Sequence, residues 1–200
     1  GPALVLAGAG SGKTRTLTYR VAYLLEQGVP ADRILLLTFT NKAAKEMMGR
    51  VTDLIGHDMS DLWGGTFHSI GHRVLRRHAE ELGFDRSFTI QDREDTKGLV
   101  NACIAEAEID VKATRFPKPE VVADMGSLAL NKQMTLREVI EERFPWFEHL
   151  SSQIENVVQR YAERKRLQGL MDFDDLLVLW LKLLKEHESV RELYQKRFQF

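Results

Sequence analysis

The sequence predicts an α/β protein in which a partial parallel sheet is flanked by helices and interrupted by a mostly helical subdomain. Over residues 1–90, short apolar runs alternate with amphipathic helical patterns, as expected of a parallel sheet with helical crossovers. From residue 91 to residue 169, helical patterns continue while strand signals almost disappear. We therefore predict a first domain that begins over residues 1–90, a helical insertion over residues 91–169, and a return to the first domain over residues 170–200.

Four short stretches indicate strands. Residues 4–7 are apolar and predict a short buried strand. Residues 34–38 form a continuous apolar run, which is typical of a strand buried on both faces of a parallel sheet. Residues 63–67 are the candidate for a third strand, and residues 198–200 have the pattern of the first residues of a further one.

Hydrophobic spacing predicts helices over residues 13–27, 42–55 and 172–187. In the first of them four aliphatic side chains share one face, and Gly28 follows its end. These side chains are Leu17, Val21, Leu24 and Leu25. Inside the insertion, residue pairs with capping spacing mark helix starts. The pairs are Asp92 with Asp95, Thr135 with Glu138, and Ser152 with Glu155.

Composition and charge exclude several classes of protein. Hydrophobic residues make up 44% and charged residues 28% of the 200 residues, which is ordinary for a globular protein and excludes a disordered tail or a collagen-like repeat. The net charge of −1 means that any nucleic-acid binding must rely on a local patch. The single cysteine, Cys103, excludes an internal disulfide, and we expect it in the core. No stretch predicts a membrane span, and we expect a cytoplasmic protein without membrane partners.

A glycine-rich loop lies between the first predicted strand and the first predicted helix. It fits the Walker A pattern except at its first position, where alanine replaces the usual glycine. Glycines let backbone N–H groups point at phosphate oxygens, and the helix that follows directs its positive dipole end at the same anion. In this chemistry the lysine contacts the β- and γ-phosphates, and the threonine hydroxyl coordinates Mg²⁺. The predicted nucleotide-binding residues are Ala7, Gly8, Ala9, Gly10, Ser11, Gly12, Lys13 and Thr14.

The alternative for this loop is a glycine-rich turn that binds nothing. The predicted strand before it and the predicted helix after it favour nucleotide binding. A GTPase is disfavoured, because the Asn-Lys dipeptide at residues 41–42 lacks the aspartate that normally completes the guanine-reading element.

Two further motifs narrow the class of nucleotide-binding protein. Residues 38–47 (TFTNKAAKEM) follow the second predicted strand, and residues 65–69 (GTFHS) follow the third. Together with the glycine-rich loop, and in this order, they resemble the UvrD/Rep/PcrA family of superfamily 1 DNA helicases. Residues 171–176 (MDFDDL) resemble a further element of that family. The resemblance covers essentially the whole chain.

The resemblance implies a RecA-like P-loop NTPase domain, called 1A, with a helical insertion called 1B. It implies an ATP-dependent helicase, with ATP and Mg²⁺ as cofactors, that moves along single-stranded DNA in repair or replication. Its DNA partners would be single strands and junctions of single and double strands. Arg15 matches a residue beside the nucleotide base. The residues that match DNA-facing positions are Phe39, Thr40, Asn41, Lys42, Thr66, Phe67 and His68.

These DNA-facing assignments are physically compatible, because single strands are held by aromatic stacking together with hydrogen bonds and charge. Turns at the carboxyl ends of parallel strands also place ligands in α/β sheets. Each residue has an alternative. Phe39 and Phe67 could be core aromatics, and Lys42 could be a solvated residue at a helix start. His68 and its neighbour His72 could ligate a metal, although no third ligand is evident.

Other charged clusters have two interpretations. The basic residues Arg73, Arg76 and Arg77 could bind phosphate or form a solvated helix face, and Arg160, Arg164, Lys165 and Arg166 could contact DNA from the insertion. The acidic residues Asp172, Asp174 and Asp175 could suggest a metal cluster. A helix start with Asp172 as the N-cap is the preferred account, because acidic side chains suit the helix dipole.

The chain contains no Asp-Glu dipeptide, although an ATPase of this type needs an acidic pair for Mg²⁺ and for the attacking water. We therefore expect a fragment that ends before its Walker B strand, holds half of an ATP site and is inactive by itself. Two alternatives stay open. One is the helicase part of a recombination helicase–nuclease, and the other is a non-enzymatic DNA-binding P-loop module.

Overall fold

The structure is a computed structural model that describes residues 3–56 and 59–200. It divides into two compact units. Unit 1 comprises the described residues of Gly1–Gly71 together with Leu184–Phe200, and unit 2 comprises His72–Leu183. The α/β class is confirmed, since helices surround two short parallel sheets in the described part of the chain.

Unit 1 consists of a two-stranded parallel sheet and the helices around it. Its elements are α1 (Lys13–Glu26), a 3₁₀ turn (Ala31–Arg33), β1 (Leu35–Thr38), α2 (Asn41–Ile55), β2 (Trp63–Thr66), the first turn of α3 (Phe67–His78), the end of α9 (Phe173–Glu186) and α10 (Glu188–Arg197). The strands predicted at residues 34–38 and 63–67 and the helices predicted at 13–27 and 42–55 are confirmed within one or two residues.

The core of unit 1 lies between α1, α2 and β1. Six buried residues form it, and helical spacing places the three that lie on α1 and α2 inward. They are Val21, Ile34, Leu36, Met47, Val51 and Leu62. Trp63 at the start of β2 is 1% exposed, and its ring lies against Tyr194 and Phe198, with centroid distances of 6.4 and 5.2 Å. The aromatic contacts fix α10 against the sheet.

The prediction of a buried strand over residues 4–7 is wrong. These residues have no strand partner among the described residues, and Leu4, Val5 and Leu6 are 85%, 66% and 86% exposed. An apolar run becomes a strand only where a neighbouring backbone satisfies its N–H and C=O groups. Residues 198–200 are not assigned as a strand either, but the Leu35 N–H donates to the Phe200 carbonyl at 2.9 Å.

Unit 2 is mostly helical. Its elements are the rest of α3, a 3₁₀ turn (Ala79–Leu82), β3 (Thr89–Ile90), α4 (Arg93–Glu106), α5 (Val111–Thr114), α6 (Pro119–Lys132), α7 (Leu136–Arg143), a 3₁₀ segment (Pro145–Leu150), α8 (Ser151–Leu167), β4 (Leu170–Met171) and most of α9. Its core is formed by α4, α6, α7 and α8, and it includes Cys103, which is fully buried as predicted.

Three capping predictions in unit 2 are confirmed and one is wrong. Asp92 and Thr135 each form a reciprocal capping box with the residue three positions later. The predicted box at Ser152 does not exist, because α8 already begins at Ser151 and has no side-chain cap at Leu150. Asp172 caps α9 as predicted, since its Oδ1 accepts the Asp175 N–H at 2.9 Å.

A buried ion cluster joins the end of α8 to the start of α9. Lys165 is 5% exposed, and its Nζ donates to Asp172 Oδ2 and to Asp175 Oδ2, each at 2.5 Å. The Tyr161 hydroxyl donates to the same Asp172 oxygen at 2.8 Å. The side-chain amide of Gln91, also buried, donates to the Tyr161 oxygen at 2.5 Å. The cluster thus joins Gln91, which directly follows β3, to Asp172, which directly follows β4.

The pKa values of the two carboxyl groups of the cluster are shifted in opposite directions. Burial by itself raises the pKa of each. At Asp172 the Lys165 ammonium and several hydrogen bonds outweigh burial, so its pKa lies below the ordinary value. At Asp175 burial and the Asp172 charge prevail over the attraction of Lys165, so its pKa lies above the ordinary value. One buried cation therefore supports two buried carboxyl groups.

Replacing this cation is expected to destabilise the protein strongly. In Lys165→Met both carboxyl groups lose their buried partner, and we expect the free energy of unfolding to fall by about 3–5 kcal/mol. The matched control is Lys132→Met, which loses an exposed ion pair with Glu142 at 3.0 Å and should cost at most about 1 kcal/mol. Urea unfolding of both variants measures the difference. Equal losses in the two variants would contradict the role given to the cluster.

Candidate nucleotide site and nucleic-acid interface

The glycine-rich loop is open to solvent and leads directly into α1. All of residues 7–15 are exposed. Gly10 and Gly12 have φ values of 76° and 85°, a left-handed conformation that glycine adopts without a steric penalty. Gly12 is the N-cap of α1, and its carbonyl accepts the Thr16 N–H at 2.9 Å. The loop therefore presents the amino end of a helix to solvent.

Lys13 folds back over this loop. Its Nζ donates to the carbonyl oxygens of Ala7 and Gly8 at 2.9 and 2.7 Å. The Ser11 hydroxyl donates to the same Gly8 carbonyl at 2.7 Å. The ammonium thus lies beside the helix amino terminus, so both contribute positive potential at one place. This arrangement suits an anion such as a phosphate group.

The side chains after Lys13 remain accessible. Thr14 is exposed in the first turn of α1. The Arg15 guanidinium carbon lies 5.5 Å from the centroid of the Tyr19 ring, one turn further along the helix. The family resemblance points to Arg15, whereas Tyr19 has no place in the loop pattern. Only its spacing of four residues from Arg15 could have indicated the contact.

The two aromatic turns meet at one edge of the β1–β2 sheet. The strands are parallel, and Thr38 pairs with Thr66 at their carboxyl ends. The next residue of each chain segment is a phenylalanine, and the rings of Phe39 and Phe67 lie 5.8 Å apart at an angle of 41°. Phe39 is 92% exposed and Phe67 is 38% exposed. The alternative that these rings belong to the core is therefore wrong.

The threonines of the two turns are engaged in local hydrogen bonds. Thr40 is the N-cap of α2, and its Oγ1 accepts the Ala43 N–H at 3.1 Å. Thr66 has the same role at α3, where its Oγ1 accepts the Ser69 N–H at 3.2 Å. The Ser69 hydroxyl returns a hydrogen bond to the Thr66 carbonyl at 2.9 Å. These hydroxyls hold the helix starts beside the two rings.

The glycine pair of β2 permits close packing next to the turns. A Cβ atom at Gly64 would lie 2.2 Å from the Met48 sulfur, and one at Gly65 would lie 2.4 Å from Ser69 Oγ. A side chain at either position would force the side chain of Met48 or Ser69 to move. A glycine pair inside a strand is itself a sequence signal of such a close approach.

The remaining predicted DNA-facing residues lie at the starts of the same two helices. Asn41 and Lys42 are exposed in the first turn of α2, and His68 is half-buried in the first turn of α3. The metal alternative for His68 and His72 gains no support, since residues 3–56 and 59–200 contain no group of three metal ligands. His72 instead accepts a hydrogen bond from Arg76 Nε at 3.0 Å. Burial and the Arg76 charge lower the pKa of His72.

Two members of the basic cluster on α8 form ion pairs with acidic side chains of unit 2. Lys165 is buried in the ion cluster. Arg164 pairs with Glu106 at 2.6 Å, and Arg160 donates to Asn156 at 2.6 Å. The charges of Lys165 and Arg164 are therefore used within unit 2, whereas Arg160 and Arg166 are exposed. Contact of this cluster with DNA stays a prediction.

A phosphate-loop motif at a helix start, combined with parallel strands, defines the class of α/β phosphate-loop proteins. Residues 1–200 match the family described as UvrD/REP helicase N-terminal domain, and the chain belongs to this family. It is 39% identical to an ATP-dependent DNA helicase PcrA of Staphylococcus epidermidis and 38% identical to one of Staphylococcus aureus. Each match covers all of this chain and 27% of the relative, so the chain spans little more than a quarter of their length.

Membrane insertion through a helix finds no support in the described residues. Within residues 3–56 and 59–200, no helix combines the length and the apolar character needed to cross a bilayer.

The capping role of Thr40 can be measured separately from any role in binding. Thr40→Ala leaves the Ala43 N–H without its acceptor and should lower the free energy of unfolding by about 1 kcal/mol. Thr40→Ser keeps the hydroxyl and should stay close to the wild type. The control in the same helix is Thr52→Ala, whose hydroxyl donates to the Met48 carbonyl and whose loss should change stability by at most about 0.5 kcal/mol. If urea unfolding gave the same value for Thr40→Ala and Thr52→Ala, Thr40 would not be a stabilising cap.

Proposed function

We propose that this protein is an ATP-dependent DNA helicase that moves along single-stranded DNA and unwinds duplexes in repair or replication. The observation that carries the proposal is the β1–β2 register, which brings two exposed phenylalanine rings together in the unit that also contains the phosphate loop. Membership of the UvrD/REP helicase N-terminal domain family and the names of the two staphylococcal relatives support it.

We infer that β1 and β2 belong to a larger RecA-like sheet, that of domain 1A. The Leu35 N–H donates to the Phe200 carbonyl, so backbone outside β2 also bonds to β1. On this proposal residues 1–90 and 170–200 form parts of domain 1A, and residues 91–169 form the insertion 1B. The helical composition of unit 2 agrees with such an insertion.

The phosphate loop would bind the triphosphate of ATP. The Lys13 ammonium, which now bonds to the carbonyls of Ala7 and Gly8, would exchange these partners for β- and γ-phosphate oxygens. Gly10 and Gly12 allow the loop backbone to curve around the anion. Arg15 would lie beside the nucleotide base. The proposed nucleotide-binding set is Ala7, Gly8, Ala9, Gly10, Ser11, Gly12, Lys13, Thr14 and Arg15.

Thr14 fits a magnesium ion by its chemistry. The residue is exposed in the first turn of α1, next to Lys13. Hydroxyl and phosphate oxygens are hard ligands of the kind that Mg²⁺ prefers. When bound, the ion would neutralise charge that develops on the phosphates during hydrolysis. The chain has no Asp-Glu dipeptide, so we propose that the acidic pair for hydrolysis is contributed by another part of the protein.

The aromatic edge of unit 1 would hold the DNA strand. The exposed rings of Phe39 and Phe67 offer faces on which bases can stack. Asn41 and Lys42 are exposed beside them and can reach the sugar–phosphate backbone. The proposed DNA-binding set is Phe39, Thr40, Asn41, Lys42, Thr66, Phe67 and His68. Junctions of single and double strands would be substrates of the same surface.

Lys13→Ala is expected to abolish ATP-driven unwinding by the full-length protein. Loss of charge-assisted hydrogen bonds worth about 1.5–3 kcal/mol should weaken binding of a fluorescent ATP analogue by about ten- to a hundredfold. The control is Lys196→Ala, which removes an exposed lysine paired with Glu192 and should leave both properties unchanged. An unaffected Lys13 variant would refute the role assigned to this residue.

Phe39→Ala is expected to weaken binding of single-stranded oligonucleotides. Base–aromatic stacking contributes about 1–3 kcal/mol per base, so affinity should fall by about five- to a hundredfold at constant salt. The control is Phe200→Ala. Phe200 is also exposed, at 50%, but it lies at the other end of β1. Its backbone bonds to Arg33, which precedes the strand, and to Leu35, which begins it. Fluorescence anisotropy measures both variants, and an equal loss in both would argue against a DNA-binding edge at Phe39.

A further inference from the structure

One exposed side chain next to the phosphate loop already has a defined neighbour. Arg15 lies in the first turn of α1, directly after Lys13 and Thr14. Its guanidinium carbon is 5.5 Å from the centroid of the Tyr19 ring. Both residues are exposed, with half of the Tyr19 surface accessible to solvent. No carboxylate pairs with Arg15 in the part of the chain that the structure describes.

This contact restricts a long and otherwise mobile side chain. A guanidinium within about 6 Å of a tyrosine ring is attracted by the negative face of the ring. Residues four apart on a helix are neighbours on the same face, so the ring position is set by the backbone of α1. A cation whose rotamers are already restricted loses less conformational entropy when a ligand binds.

We propose that Tyr19 is a positioning residue that holds Arg15 against the base of a nucleotide bound at the phosphate loop. This inference rests on the proposed ATP-binding function. The phosphates would occupy the amino end of α1, and the base extends beyond them toward exposed residues of the first turn. A planar guanidinium stacks on aromatic rings, so Arg15 would contact Tyr19 on one side and offer its other surface to the base.

Tyr23 provides a matched control on the same helix. It is also an exposed tyrosine, 55% accessible against 50% for Tyr19. It lies eight residues after Arg15, which corresponds to a rise of about 12 Å along the helix axis. Its ring is therefore out of reach of the guanidinium, although the two tyrosines are alike in type and exposure.

The test compares ATP with tripolyphosphate, a ligand that has the phosphates but no base, in the full-length protein. Tyr19→Leu should raise the Kd for MgATP by about two- to fivefold, which corresponds to the energy of an exposed cation–π contact. The Kd for tripolyphosphate should stay unchanged. Tyr19→Phe keeps the ring and Tyr23→Leu leaves the contact intact, so both should bind MgATP like the wild type.

A double-mutant cycle identifies the residue through which Tyr19 acts. If Tyr19 acts by holding Arg15, adding Tyr19→Leu to an Arg15→Gln variant should cause no further loss of ATP affinity. Independent, additive losses would overturn the inference. So would equal losses for ATP and tripolyphosphate in Tyr19→Leu, which would indicate a general effect on α1. Failure of the wild type to bind MgATP would instead overturn the proposed function on which the inference rests.

Discussion

The parallel pairing of β1 with β2 is the constraint on which the candidate DNA-binding edge depends. Side chains alternate between the two faces of a strand, so a slip of one residue would exchange buried and exposed positions. In the observed register Thr38 pairs with Thr66, and both side chains are buried. The phenylalanine that follows each threonine then emerges at the same edge. The proximity of two rings 28 positions apart in the sequence follows from one register.

Unit 2 depends on a different kind of interaction. Its apolar core holds four helices together, and a buried polar network joins Gln91, before α4, to Asp172, at the start of α9. Lys165 is the cation that bonds to both aspartates of that network. A buried ion pair contributes little net stability compared with apolar packing, yet removing one partner is costly. The cluster therefore constrains the geometry of unit 2 more than it adds to its stability. To form it, α8 and the start of α9 must bring three charged side chains within hydrogen-bond distance of one another.

The helices and their caps can be predicted from the sequence, whereas most tertiary contacts cannot. The helices at residues 13–27 and 42–55 follow from apolar spacing, and the caps at Asp92 and Thr135 follow from residue type and position. Residues 4–7 have the apolar pattern of a strand but no backbone partner among the described residues. Lys165 belongs by sequence to a basic cluster, and only the fold shows that it is buried between two aspartates. Similarly, the Phe39–Phe67 contact requires the register of β1 and β2, which no local pattern specifies.

At the candidate DNA-binding edge, the atoms that cap the helices differ from the atoms that are proposed to bind DNA. The hydroxyls of Thr40 and Thr66 accept backbone N–H groups, so they are already occupied as acceptors. The rings of Phe39 and Phe67 have no such role and are exposed. Stacking is tolerant of base identity because every base has an aromatic face. On the proposed function, the capped helix starts would keep the rings fixed under a bound strand. A strand held in this way needs few charges on the protein. The near-neutral charge of the chain is therefore compatible with DNA binding at a short edge of one sheet.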